Sequence, residues 1–245
     1  MGIPSAQFLA SVREALGRGE GPPAEPYAAL HDGVSELEST AAAVRERVAG
    51  EMPVLLDKMA DTAALRGWNV ARCDGGEDAL DYVVSLVRRM GVTSVARSEQ
   101  PVFDAVPVDA ALAGAGALVW PAVYADDASR PELRRRLAEC GMGITGADYA
   151  IAETGSVIVI PKRGLSRLVS VVPPVHVAIV RPSEVIGTLD DLFALRRLDY
   201  HRDGGDMGSY LNFISGPSRT ADIEQTIVVG VHGPREVHLV LLDRE

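Results

Sequence analysis

Short apolar runs alternating with amphipathic helical stretches constrain this chain most. Residues 175–180 (VHVAIV) and 237–242 (VHLVLL) hold little besides branched aliphatic residues. Runs of that kind form strands inside a sheet that is covered on both faces. Further short strands are expected at 68–72, 93–96, 117–120, 149–152, 156–160, 210–214 and 227–229. Helices are expected at 5–16, 36–66, 78–90, 131–140 and 189–198. In the third of these, Leu80, Val83, Val84, Val87 and Met90 fall on one stripe, and Gly91 ends it. The 36–66 stretch reads as two helices split near Gly50, with Pro53 in a first turn. The expected fold class is α/β, a layered sheet with helices on both faces. Residues 18–26 (RGEGPPAEP) form a Gly/Pro-rich linker, so residues 1–26 read as a helical arm and residues 27–245 as the domain. The arm either packs back on its own domain or reaches a partner.

With 245 residues, the chain can bury a core without disulfides or metals. A net charge of −10 disfavours non-specific contact with nucleic acid or anionic membrane. No window approaches the ~18 apolar residues of a membrane span. The start, MGIPSAQFLASVREALGRG, lacks the long apolar core of a signal peptide, so a cytoplasmic location is expected. The two cysteines, Cys73 and Cys140, are far apart and read as small core hydrophobes; no iron–sulfur cluster is expected in this chain. Dinucleotide-binding, phosphate-loop and Gly-x-Ser-x-Gly motifs are absent, and the histidines lack metal-ligand spacing.

Four segments carry polar residues that plain packing does not require. In residues 143–156 (GITGADYAIAETGS), Glu153 sits in a turn between apolar strands, beside Thr154, Gly155 and Ser156. The glycines permit close backbone approach to a ligand; a tight turn with a solvated Glu153 is the alternative. In residues 215–224 (SGPSRTADIE), Ser215, Gly216, Ser218, Arg219 and Thr220 suit an anion, with Ser218 or Thr220 capping a short helix. Asp222 and Glu224 share a face if this piece is extended, and paired carboxylates suit acid–base work. Otherwise they are solvated acids at a helix start. The third segment, 230–234 (GVHGP), offers His232 beside Gly233 as a proton acceptor or as a structural turn histidine. The fourth, 161–167 (PKRGLSR), is either an anion-attracting patch or a solvated loop. His176, flanked by apolar strand residues, reads as a core or edge histidine.

These words, with residues 174–180 (PVHVAIV) and 236–242 (EVHLVLL), resemble the LUD domain family, and within it the lactate utilization protein C (LutC/YkgG) group. The resemblance covers about residues 35–245 and is dense after Gly143. It implies the fold shared by ribose-5-phosphate isomerase, glucosamine-6-phosphate deaminase, CoA transferases and 5-formyltetrahydrofolate cyclo-ligase, the NagB/RpiA/CoA-transferase-like fold. It also implies a part in a cytoplasmic system that converts L-lactate to pyruvate with two iron–sulfur proteins as partners. Glu153, Thr154, Ser215, Ser218, Asp222, Glu224 and His232 match the family words and are expected to line one pocket for a small anionic ligand. That pocket is expected at the carboxyl ends of the strands. A self-sufficient isomerase, CoA-transferase or cyclo-ligase-like enzyme, and a non-catalytic assembly or regulatory subunit, are the alternatives.

Overall fold

The computed structural model describes residues 4–17, 33–123, 126–161, 167–202, 204, 210–222 and 225–245. Its helices are α1 (Ser5–Ala15), α2 (Val34–Arg66), α3 (Gly76–Met90), α4 (Val102–Ala105), α5 (Val108–Gly114), α6 (Arg130–Ala138) and α7 (Leu189–Arg202). Its strands are β1 (Asn69–Cys73), β2 (Ser94–Arg97), β3 (Leu118–Pro121), β4 (Met142–Thr145), β5 (Tyr149–Ile151) and β6 (Ser156–Val159), followed by β7 (Val175–Val180), β8 (Val185–Ile186), β9 (Asn212–Ile214), β10 (Arg219–Thr220), β11 (Val228–Val229) and β12 (Glu236–Leu242).

The two apolar runs become neighbours, β7 and β12, inside a six-stranded sheet of order β1-β12-β7-β4-β2-β3. All its pairings are parallel. Alternate residues point to opposite faces, so each run supplies two cores. Val175, Val177, Ile179, Val240 and Leu242 meet Val83, Leu86 and Val87 of α3 and Leu112 of α5. Ala178, Val180, Leu239 and Leu241 meet Leu55, Leu56, Met59 and Ala63 of α2. Helix α6 covers Ala96 and Trp120 through Leu133 and Leu137. The sheet therefore carries helices on both faces.

A second, mixed sheet of order β8-β5-β6-β9 lies on the α2 side. Ala150, Val157 and Val159 turn inward to the α2 core, while Ile151, Ile158 and Ile186 turn outward to Leu192, Leu195 and Leu198 of α7. The expected split of the 36–66 stretch does not occur. Helix α2 runs unbroken for 33 residues through Gly50 and Pro53. Pro53 cannot donate to the carbonyl four residues back. Burial of Val48, Leu55 and Leu56 on either side of that turn holds the helix together, since packing outweighs propensity. Strand β4 and helices α4 and α5 were not expected from the sequence. Both cysteines are buried free thiols, and burial pushes the Cys73 thiol up to about 11. No residue of α1 is buried, and no helix among the described residues is long and apolar enough to cross a membrane.

Candidate functional site

Strands β5 and β6 form an antiparallel hairpin with Ile151 opposite Ser156. Its turn holds Glu153, Thr154 and Gly155. Gly155 has φ +64°, and a Cβ there would lie 2.6 Å from the Ala63 nitrogen of α2. This glycine is required by contact with a helix backbone. Glu153 is exposed, and its Oε2 accepts the Leu189 N–H at 3.2 Å. The carboxylate thus sits on the positive end of α7, where negative charge is favoured. Beside it, Thr188 and Asp191 cap each other: the Thr188 N–H donates to Asp191 Oδ2 at 2.9 Å, and the Asp191 N–H to Thr188 Oγ1 at 3.2 Å.

Three hydroxyls form a chain across the hairpin. Thr154 donates to Ser156 Oγ at 2.9 Å, and Ser156 Oγ lies 2.7 Å from Ser215 Oγ. After Ser215 the chain laps over the end of α2. Gly216 has φ +113°, and a Cβ there would lie 2.4 Å from the Arg66 carbonyl oxygen. Arg219 Nη2 donates to that same carbonyl at 3.2 Å, satisfying one of the acceptors left open at a helix C-terminus. The short helix that Ser218 was expected to cap does not form. Arg219 and Thr220 instead pair with Val229 and Val228 in a two-stranded ribbon, so no helix end is offered there to an anion. Thr220 Oγ1 accepts the Asp222 N–H at 3.3 Å. The Ser218 N–H donates to the Pro234 carbonyl and the Ser218 carbonyl accepts the Gly230 N–H, both at 2.9 Å. Gly233 packs beside Ser218: a Cβ on it would lie 3.2 Å from the Ser218 Cβ. The side chains of Asp222 and His232 are exposed. Glu224, and residues 162–166 of the basic segment, lie outside the described residues.

The structure thus brings Thr154, Ser156 and Ser215 into one group, and Gly216, Ser218, Arg219 and Gly233 into an adjoining one. Glu153 is directed to α7. The expected position at the carboxyl ends of the strands is corrected. The Gly67 turn leads into β1, and residues 230–235 lead into β12. The Arg235 and Glu236 N–H groups both bond the Pro174 carbonyl just before β7. A short segment preceding a strand lies at its amino end, so the second group sits there.

Buried polar groups lie under this end of the sheet, among them His176, the core histidine that its apolar flanks predict. His176 is fully buried, and its Nε2 lies 2.9 Å from Thr145 Oγ1. Burial, aided by His238, pushes its imidazole down to about 3, so it is neutral. The buried Trp68 ring lies 6.1 Å from it, and neither Trp68 Nε1 nor His176 Nδ1 has a hydrogen-bond partner among the described residues. On the other face, His238 links Tyr82 Oη at 2.8 Å to Glu236 Oε1 at 2.9 Å. A separate cavity of about 260 Å³ opens between α2 and the second sheet, lined by Val44, Arg45, Val48, Met52, Tyr149 and Leu195 among others. Burial and the charge of Asp199 push the Tyr149 hydroxyl up to about 12. None of the residues singled out from the sequence lines that cavity.

A parallel sheet sandwiched by helices, with a hairpin sheet laid over one of them, defines the class. The LUD domain family model matches residues 56–242, and the chain belongs to that family. A crystal structure of a DUF162 family protein from Deinococcus radiodurans shares the fold, with a TM-score of 0.51 and 19% identity over 78% of this chain and 98% of that one. Among sequences, the chain is 33% identical to lactate utilization protein C of Halalkalibacterium halodurans over 71% of its own length and 72% of that protein's. It is 41% identical to the Exiguobacterium protein of the same name over 47% and 50% of the two lengths. It is also 23% identical to lactate utilization protein B of Bacillus licheniformis, covering 85% of this chain but 52% of that longer protein.

Proposed function

We propose that this chain is the non-iron–sulfur subunit of a cytoplasmic system that oxidises L-lactate to pyruvate, and that the group at the amino ends of the strands binds a small carboxylate. The observation that carries this reading is the 33% identity to a lactate utilization protein C across 71% of the chain. Oxidising a 2-hydroxy acid removes two electrons and two protons. His232 is the proposed proton acceptor, with Glu153, Asp222 and Glu224 as the other acid–base groups. Thr154, Ser215, Ser218 and Thr220 would hold the carboxylate through their hydroxyls and Arg219 through its charge. The chain has two cysteines, both buried, so the electrons would pass to two iron–sulfur partner proteins. The likeness to a lactate utilization protein B supports a partner that carries a related domain.

A second element of the proposal is that residues 1–26 are a docking arm separate from the domain of 27–245. Phe8 and Leu9, 55% and 51% exposed, lie on a helix with no buried residue, and the family match begins only at residue 56. The test is anaerobic, lactate-dependent dye reduction by the two iron–sulfur proteins with and without this chain. Reduction that needs the chain supports the subunit reading; equal rates without it overturn that reading. Deleting residues 1–26 should abolish partner binding and leave the fold intact.

A further inference from the structure

Thr145 is buried, and His176 Nε2 is the hydrogen-bond partner of its hydroxyl. A buried hydroxyl proton needs an acceptor. If Thr145 donates to Nε2, that proton is satisfied and the neutral imidazole carries its own proton on Nδ1. The opposite tautomer would strand the Thr145 proton. His176 Nδ1–H and Trp68 Nε1–H are then two buried donors without acceptors, on rings 6.1 Å apart. A buried indole N–H ordinarily finds a partner, and each donor left unmet costs roughly 1–3 kcal/mol. Two such donors on neighbouring rings match an acceptor oxygen brought by something that binds.

Trp68 also adjoins the proposed site. It follows Gly67, where a Cβ would lie 3.3 Å from Pro217 Cδ and closer still to the Arg219 guanidinium. His176 is flanked in the sheet by Gly143 and Val237.

We infer that Trp68 and His176 form a two-donor recess for the C2 oxygen of a 2-hydroxy or 2-oxo acid, with the acid's carboxylate held at the hydroxyl and arginine rim. This rests on the proposed lactate role and adds to it the groups that read the substrate. Both donors are neutral, so they suit a hydroxyl or keto oxygen; the charged carboxylate stays where Arg219 and solvent meet it. The recess selects against an acid of the same size that lacks an oxygen at C2, because that ligand leaves both donors unmet.

The test compares pyruvate, L-lactate and propionate by titration calorimetry on the full chain and on Trp68→Phe. Wild-type protein should bind pyruvate and lactate at least about tenfold more tightly than propionate, and Trp68→Phe should bind all three alike. A measurement that leaves Trp68 in place uses Trp120→Phe protein, in which Trp68 is the remaining tryptophan. Its ¹⁵N indole resonance should move with pyruvate and stay still with propionate. A preference retained in Trp68→Phe, or an unmoved resonance while pyruvate binds, overturns the recess. If neither acid binds but lactate oxidation still requires the chain, the recess falls and the subunit reading stands. If pyruvate binds with the Trp68-dependent preference while oxidation proceeds without the chain, the reverse holds.

Discussion

Gly155→Ala separates the two roles that a glycine in the hairpin turn can have. If the glycine admits a ligand, a methyl group there impairs binding and costs only the left-handed backbone conformation. If it admits α2, the methyl meets backbone 2.6–2.8 Å away at Thr62 and Ala63, which cannot rotate aside. An alanine in the left-handed region costs roughly 1–2 kcal/mol, and overpacking a well-filled core roughly 1–3 kcal/mol more. The expected total is about 2–5 kcal/mol. For a chain of this size each kcal/mol lowers Tm by roughly 2–4 °C, so a loss on the order of 10 °C is expected. Gly91→Ala is the matched control: its φ of +62° is nearly the same as the +64° of Gly155, and a Cβ there meets nothing within 4 Å. Urea denaturation of both variants beside wild type gives the packing contribution by difference, about 1–3 kcal/mol. Equal destabilisation by the two substitutions would refute the helix-contact reading and return Gly155 to the ligand.

Three further outcomes follow from the same geometry. Burial holds the His176 imidazole at about 3 against the usual 6.5, so between those values the unfolded chain binds more protons than the folded one and stability falls as pH drops. The share of His176 between pH 7 and 5 is about 2 kcal/mol, and Gln in its place should flatten that part of the urea-midpoint profile. Removing the Ser156 and Ser215 hydroxyls singly and together should give a coupling energy of about 1 kcal/mol in a double-mutant cycle. Asp191→Ala removes both the cap on Thr188 and the 2.6 Å bond from Arg47; a loss of about 2 kcal/mol is expected from urea melts.

The buried strands were legible because solvent is excluded from both faces of a parallel sheet: the runs at 175–180 and 237–242 leave no room for another reading. The α3 stripe and its Gly91 stop were legible for the same reason, since local pattern and burial agree. Where local and distant forces disagree, the sequence misleads. Gly50 and Pro53 signal a break, yet α2 is continuous because buried residues on both sides of Pro53 hold it to its cores. Gly143 reads as a glycine that lets a ligand approach, yet it lies in β4, where the Val169 carbonyl occupies the space of its missing side chain. At the site, the motif words brought Thr154 beside Ser215 and Ser218 beside Gly233. Several of their residues also serve the framework: Glu153 caps α7, Arg219 caps α2 and Gly155 admits a helix. Trp68 and His176 read as a strand residue and a core histidine, and their unmet N–H groups show themselves only once the neighbours are placed.

Strand β12 is inserted between β1 and β7, with Asn69 Nδ2 bonding the Val237 carbonyl 168 residues further on. On the ribosome, β1 emerges long before the strand that will pair with it. At about 5–20 residues per second, that wait lasts roughly 10–30 s. Throughout it β1 lacks its sheet neighbour, and β7 lacks the same neighbour from its own synthesis onward, so their apolar faces are incompletely covered. Unpaired edges of this kind recruit other chains. The halves of the sheet must therefore be kept apart from one another's copies until β12 arrives, which makes the nascent protein a natural client for chaperones that shield strand edges.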